Sequence, residues 1–388
     1  LFLGGCAIAW PASVFYDEPR LLTLVPLVAT TGFIEGLRST AFFRLMRHMR
    51  VGTLSLLETG RGIVSAATMV IWAYVHPSVY ALIAPYIVGV LFDTVVSHFL
   101  MRDRIDRFGW SNDSARELFS FGRWVFISTA LTFGATSLDR LVLPKLFSLE
   151  IVGIYQIALM LASLPALALL SLGSRIVFPA LSRVASEIDL DRPTEEHRLR
   201  FQSAFDRVRG AVLVLGGYAV AGMVGTGDWL IRVAYPPEFE LAGPLVQVLA
   251  IASWFHLMEA ATGSAMLAQG KPRYTALSTG TKVVLLFLLV PLLAQLGGGG
   301  IFLAVVAVAL ADLGRYVASV VGARRLPVPL VAESGDLRWT GLIALSAGAG
   351  LLVGEQMNGD LASFFVSGVV VSLFWLMPAL RAVRNLRG

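Results

Sequence analysis

Apolar residues fall in long runs separated by short polar connectors, and the run lengths decide the architecture. The runs cover about Leu1 to Tyr16, Leu21 to Phe43, Val51 to Val75, Val79 to Met101, Phe121 to Leu143 and Ile151 to Leu181. They continue as Val212 to Val233, Leu241 to Ala268, Tyr274 to Leu293, Ile301 to Gly322, Trp339 to Leu352 and Leu361 to Leu380. Most reach the roughly 20 residues a helix needs to cross about 30 Å of hydrocarbon, and none alternates like a barrel strand. The pattern predicts an all-α chain, a polytopic bundle of membrane helices with twelve spans.

Basic residues orient these spans. Arg44, Arg47 and Arg50, five arginines within 102–123, six within 183–209, Lys271 and Arg273, Arg324, Arg325 and Arg338, and Arg381, Arg384 and Arg387 occupy every second connector. The connectors between them offer only Arg20, Lys145 and Arg232. Loops rich in Lys and Arg face the cytoplasm, so the basic set is expected inside. Composition agrees with a multi-pass membrane protein: 56% of the 388 residues are hydrophobic, 15% are charged, and the mean hydropathy is +0.74. The net charge of +5 does not point to nucleic acid, because the arginines flank membrane runs rather than line one groove. They suit anionic membrane lipid. Cys6 is the single cysteine, which leaves no intrachain disulfide and no cysteine metal site.

Two connectors carry helical signals of their own. Ser114 to Glu117 has capping-box spacing ahead of Leu118, Phe119 and Phe121, and Pro193 to Phe205 places Glu195 and Glu196 four residues before Leu199 and Arg200. Short surface helices are predicted at both. A weak internal repeat relates the second span, with Glu35, to the eighth, with Glu259, and the fourth, with Asp93, to the tenth, with Asp312. Repeated bundles of this kind are common in transporters. The repeat predicts two six-helix lobes, the first lacking about two helices because the chain opens inside an apolar run. Its expected parts are an N-lobe at 1–110, a C-lobe at 111–323 and a C-terminal helix pair at 324–388.

Ionisable residues inside spans cost about 2.5–3.5 kcal/mol each at a helix centre, so each one needs a reason. They are Glu35, Arg38, Glu58, Arg61, Asp93, Asp139, Arg140, Arg175, Glu259, Lys282, Asp312 and Arg315. Glu35/Arg38, Glu58/Arg61 and Asp312/Arg315 are acid and base at i and i+3 on one helical face. Such couples either neutralise themselves or line a wet cavity. All but Asp139 and Arg140 are expected in the cytoplasmic half of their spans, which favours a vestibule open to that side. His98 and His256 are more simply packed polar side chains. Pro26, Pro85, Pro165 and Pro291 lie inside spans as kinks or hinges.

Enzyme motifs fail in context. Gly270-Lys271-Pro272 lacks the earlier glycine and the following Ser or Thr of a phosphate loop, and Ala276 to Gly280 echoes a nucleophile elbow without its strand. Asp189-Leu190-Asp191 sits in a loop too short for a nucleotide-binding domain. No cofactor, metal or catalytic residue is expected. A transporter is favoured over a membrane-embedded enzyme and over a structural scaffold.

The segments Phe121-Gly122-Arg123-Trp124, Ser137-Leu138-Asp139-Arg140-Leu141-Val142-Leu143, Val152-Gly153-Ile154-Tyr155-Gln156-Ile157-Ala158 and Val177-Phe178-Pro179-Ala180-Leu181-Ser182-Arg183 resemble, in order and spacing, one bacterial family. It is the polysaccharide transporters, the O-antigen and exopolysaccharide flippases of the multidrug/oligosaccharidyl-lipid/polysaccharide exporter superfamily. Members have twelve to fourteen helices in two lobes. The resemblance implies a bacterial inner-membrane protein that moves an undecaprenyl-pyrophosphate-linked oligosaccharide from the cytoplasmic to the outer leaflet by alternating access. Other polysaccharide-assembly proteins would be its partners. A cationic cavity would receive the head, with Arg38, Arg61, Arg175, Lys282 and Arg315 as substrate-pathway candidates. Glu35, Glu58, Asp93, Glu259 and Asp312 would be paired or coupling acids, and Asp139/Arg140 a gate or structural pair. An ion-coupled drug or small-metabolite antiporter of the same fold is the alternative.

Overall fold

The computed structural model describes residues 2–39, 51–99, 136–172, 177–188, 192–295, 300–330, 333–357 and 359–387, with isolated positions between 111 and 134. All regular structure among the described residues is helical. The elements are α1 (Phe2–Tyr16), α2 (Leu21–Gly36), α3 (Val51–Val75), α4 (Tyr80–Phe99), α5 (136–146), α6 (Leu149–Leu172), α7 (Phe178–Ser186) and α8 (Glu195–Ala234). After a 3-10 turn at Pro237–Phe239 come α9 (Ala242–Ala268), α10 (Pro272–Gln295), α11 (Gly300–Ala323), α12 (Glu333–Gly354) and α13 (Asp360–Arg387).

Among the described residues, six helices are long and apolar enough to cross a membrane: α4, α6, α8, α9, α10 and α11. Apolar stretches in α1, α2, α12 and α13 are shorter. The expected helix at Ser114 to Glu117 lies outside the described residues, as do Arg175 and the Asp-Leu-Asp loop. Within the run Ile151 to Leu181 the structure describes α6 up to Leu172 and the nine-residue α7 from Phe178, and residues 173–176 lie outside the described residues. Pro179 falls in the first turn of α7, where proline is tolerated. One boundary differs from the sequence expectation: the surface helix expected at Pro193 to Phe205 is not separate from the seventh span. It is the first part of α8, a continuous 40-residue helix of about 60 Å, twice the hydrocarbon thickness. Thr194 caps its start, accepting from the His197 amide while the His197 ring accepts from the Thr194 amide. Glu195 and Glu196 in its first turn favour that positive end of the helix dipole.

The chain divides into two compact units, Leu1–Arg123 and Trp124–Gly388. Within the first, α1 packs on α2, and both α2 and α3 pack on α4. Within the second, α8 packs on α9, and both α9 and α10 pack on α11. The same scheme of neighbours thus recurs in the helices that the sequence repeat relates.

Helix α9 is the centre of the second unit. It touches α6, α7, α8, α10 and α11 and is 61% buried over its apolar window, against 17% for α10. Its core residues Leu245, Leu249, Trp254 and Leu257 are fully enclosed. The open face of α10 carries Leu277, Val284, Phe287, Leu288 and Leu292. In water so large an apolar face would invite aggregation; against lipid it costs nothing. A smaller core closes the base of α7 and α8, where Leu181, Phe201, Phe205 and Met266 meet Val328. Gln269 holds that loop from both sides, donating to the Val328 carbonyl at 3.1 Å and accepting from its amide at 3.0 Å.

Helix α13 docks on α8 through a contact that only glycine permits. Trp375 stacks on Trp339 with centroids 5.7 Å apart, donates to Ser346 Oγ at 3.1 Å, and lies over Gly217. A Cβ on Gly217 would come within 2.3 Å of the Trp375 ring, and a stacked, hydrogen-bonded indole cannot step aside cheaply. Gly217→Val is therefore expected to destabilise the protein by about 1–3 kcal/mol, read as a lowered melting temperature in detergent. Gly222→Ala, on the same helix with open space around it, serves as control and should melt like the parent.

Candidate functional site

The charges inside the helices are resolved by pairing between helices, not along them. In the first unit, Arg38, just beyond the end of α2, donates from Nη2 to Asp93 Oδ2 at 2.8 Å, and Arg61 on α3 donates from Nη1 to the same oxygen at 3.0 Å. Two guanidiniums thus converge on one carboxylate of α4. Glu35 and Glu58, which stand three residues before these arginines, are exposed and form no ion pair among the described residues. Helix packing explains the pairing. Gly89, one turn before Asp93, lets α3 approach so closely that a Cβ there would lie 2.6 Å from Ser65 Oγ and 3.3 Å from Arg61 Nε. The end of α2 is pinned to the same face by the Ser39 amide on Ser97 Oγ at 3.0 Å and by Thr94 Oγ1 on the Ile34 carbonyl at 3.2 Å.

The second unit repeats the arrangement with different chemistry. Lys282 on α10 bridges Asp312 on α11 at 2.8 Å, as Arg61 on α3 bridges Asp93 on α4. Arg315, one turn beyond Asp312, turns instead to Glu259 on α9 at 2.6 Å. The expected Asp312/Arg315 couple is thereby exchanged for two cross-helix pairs. Glu259 is 1% exposed and also accepts from Ser278 Oγ at 3.2 Å. An isolated carboxylate there would carry a large desolvation cost, which the guanidinium and the hydroxyl offset.

These pairs border a cavity of about 260 Å³ enclosed by α5, α6, α9, α10 and α11. Lys282, Asp312 and Arg315 line it from one side, His256 from α9, and Asp139 and Arg140 from α5. The sequence set Asp139 and Arg140 apart near an outer helix end and expected the other charges in the cytoplasmic half. In the structure they share one cavity, and Lys282 and Asp312 sit near the midpoints of α10 and α11. Asp139 is buried and accepts from the Tyr155 hydroxyl of α6, which ties the Leu-Asp-Arg and Gly-Ile-Tyr segments into one physical unit. Arg140 is exposed at the cavity wall and has no ion pair among the described residues. His98, expected to be packed, is exposed and has its ring nitrogen 2.8 Å from the Thr94 carbonyl of its own helix.

Tyr155, Ser278 and Gly89 were not singled out as site residues from sequence. Tyr155 lay inside a quoted motif, while a serine and a glycine in apolar helices carry no signal until the facing helix is known. No group of three or more His, Cys, Asp or Glu side chains among the described residues could hold a metal ion.

Pairing across helices predicts a specific asymmetry. Lys282→Met leaves Asp312, 4% exposed, without its cation and should cost about 3–5 kcal/mol. The double change Lys282→Met/Asp312→Leu removes both charges and should recover most of that loss. Thermal melting of the single and double variants in detergent measures the difference, and equal melting of the two would show that the pair is not coupled.

Comparison with known proteins places this geometry. A family model described as "Polysaccharide biosynthesis protein" matches residues 1–207, which is more than half of the chain. Similar proteins include the teichuronic acid biosynthesis protein TuaB of Bacillus subtilis, 22% identical over 262 residues, covering 66% of this chain and 51% of that protein. The amylovoran biosynthesis protein AmsL of Erwinia amylovora is 24% identical over 280 residues, 68% of this chain and 66% of that one. The lipopolysaccharide biosynthesis protein WzxC of Escherichia coli is 22% identical over 253 residues, 64% of this chain and 49% of that one. The matches thus span about half to two-thirds of the length of these relatives. Among solved structures, the lipid II flippase MurJ in an inward closed conformation superposes with a TM-score of 0.70 at 11% identity, covering 96% of this chain and 75% of that one. That likeness extends the helical architecture described above to a known fold. By the match over its first 207 residues, with these relatives alongside, the chain belongs to the polysaccharide biosynthesis protein family.

Proposed function

We propose that the chain is the greater part of a flippase that carries an undecaprenyl-pyrophosphate-linked oligosaccharide from the cytoplasmic to the outer leaflet of a bacterial inner membrane. The observation that carries this is the charged cavity of the second unit. Lys282 and Arg315 face it already neutralised by Asp312 and Glu259, whereas Arg140 presents a guanidinium with no ion pair among the described residues. A pyrophosphate is the ligand type such a planar, multi-donor cation holds best. Family membership supports a saccharide-bearing substrate, and the relatives are named for teichuronic acid, amylovoran and lipopolysaccharide biosynthesis.

In this scheme the twelve runs act as twelve spans, arranged as the partial N-lobe 1–110, the C-lobe 111–323 and the helix pair 324–388. The recurring neighbour scheme of α1 to α4 and α8 to α11 supports that repeat. Basic connectors face the cytoplasm and meet anionic lipid. Arg38 and Arg61 on Asp93 form the corresponding charged cluster of the first lobe, and alternating access exposes the charges to each side in turn. Arg175 completes the set of candidate cations.

In a full-length protein containing this chain, Arg140→Ala, Arg38→Ala, Arg61→Ala and Arg315→Ala should each remove most surface polysaccharide while the protein remains in the membrane fraction. Arg140→Lys should fall between, because an ammonium keeps the charge and loses the fork. Normal polymer from Arg140→Ala together with the other three would sink the assignment.

A further inference from the structure

A second hollow lies beside the charged cavity, and the two share a wall. It is a groove of about 270 Å³ formed by α6, α7, α8 and α9. Leu170 of α6 lines both hollows. Along α9 the charged cavity takes Ser253 and His256, and the groove takes Ala260, Ser264 and Leu267. Steps of three and four residues keep these positions on one side of a helix. The two hollows therefore follow one another as a trench along α6 and α9, meeting at Leu170, and the two helices are tied by Ser253 Oγ donating to the Ala162 carbonyl at 3.0 Å.

The two ends of the trench differ in chemistry. Arg140, Lys282 and Arg315 stand at one end. At the other, Ser264 is the single polar residue among the described lining residues, and its hydroxyl donates to the Ala260 carbonyl at 2.9 Å. The described lining is thus largely apolar, and a sugar, an ion or a polar peptide seated against it would lose hydrogen bonds that it makes in water. The groove runs toward the ends of α6 and α9 that the basic connectors mark as cytoplasmic, and half-exposed Phe178 and Leu267 stand at its mouth. Gly216 closes its floor: Leu257 and Leu169 converge over this glycine, where a Cβ would lie 2.9 and 3.2 Å from them.

We infer that this groove seats the first isoprene units of a polyprenyl diphosphate whose head occupies the charged cavity. The inference rests on the proposed function and adds to it a seat for the tail within the second unit. An anionic head joined directly to one apolar chain matches a charged cavity opening into one apolar groove. A bilayer phospholipid, with two chains on a glycerol, matches the single groove poorly.

The test uses the full-length protein in nanodiscs, with inorganic pyrophosphate, geranyl diphosphate and farnesyl diphosphate as probes. Affinity should rise along that series in the wild type. Ala260→Phe, which fills the groove from α9, should lower farnesyl diphosphate affinity at least about tenfold (about 1.4 kcal/mol) and leave pyrophosphate affinity unchanged. Ser264→Phe, one turn on, should do the same and covers the case in which the first variant fails to fold. Pyrophosphate binding with no gain from the chain, or wild-type farnesyl diphosphate affinity in both folded variants, overturns the groove assignment alone. Failure of all three probes to bind folded wild type overturns the head site and the groove with it. Displacement of farnesyl diphosphate by phosphatidylglycerol at equal concentration also overturns the assignment.

Discussion

An ionised side chain in the middle of an apolar helix must find an opposite charge on whichever helix lies beside it, and much of this structure follows from that constraint. The cost of leaving such a group alone is several kilocalories per mole, far above what an exposed surface pair returns. Asp93 draws two arginines, Arg38 from just beyond the end of α2 and Arg61 from α3. Asp312 and Glu259 each hold a cation from a neighbouring helix. These pairs fix which helix faces which, and they fix rotation as well, because a turn of α11 about its axis would part both Asp312 and Arg315 from their partners.

Small residues and hydroxyls make the pairing possible. Gly89 brings α3 close enough for Arg61 to reach Asp93, and Ser278 completes the shell of Glu259. On the far side of α8, Gly217 admits Trp375, so α13 is bound by shape where the inner helices are bound by charge. The Tyr155 hydroxyl on Asp139 belongs to the first kind: it satisfies a buried acid and thereby holds α5 against α6, leaving the adjacent Arg140 at the cavity wall. Among the described residues the acids of this cavity are satisfied and Arg140 has no ion pair, so the cavity keeps a cation to offer where a fully neutralised one would not.

Much of this was legible in the chain before any coordinates. Run lengths predicted an all-helical chain, and Arg38, Arg61, Asp93, Glu259, Lys282, Asp312 and Arg315, singled out as ionisable positions inside spans, meet in ion pairs in the structure. For Glu35/Arg38, Glu58/Arg61 and Asp312/Arg315 the sequence left self-neutralisation and a wet cavity both open, because proximity along one helix is visible in sequence and proximity across a helix interface is not. The start of α8 was anticipated from its first-turn acids, yet its continuation through the whole seventh span was not, because polarity changes along a helix without interrupting its hydrogen bonds. Asp139 and Arg140 were placed apart from Lys282 because their distance from a helix end was known and the depth of the facing helix was not.

The sequence by itself determined where helices form, which connectors carry the basic charge, and which motif segments mark the family. These are local properties: a helix satisfies its own backbone within four residues, and a run of apolar side chains fixes its partition into hydrocarbon regardless of neighbours. Only the tertiary structure decided which acid meets which base. It also joined the Leu-Asp-Arg segment to the charges of α10 and α11, and it aligned a charged cavity with an apolar groove along α6 and α9. Those outcomes depend on the rotation and spacing of helices far apart in the chain, which are set by close contacts at residues such as Gly89 and Gly216 and carry no periodic signature of their own.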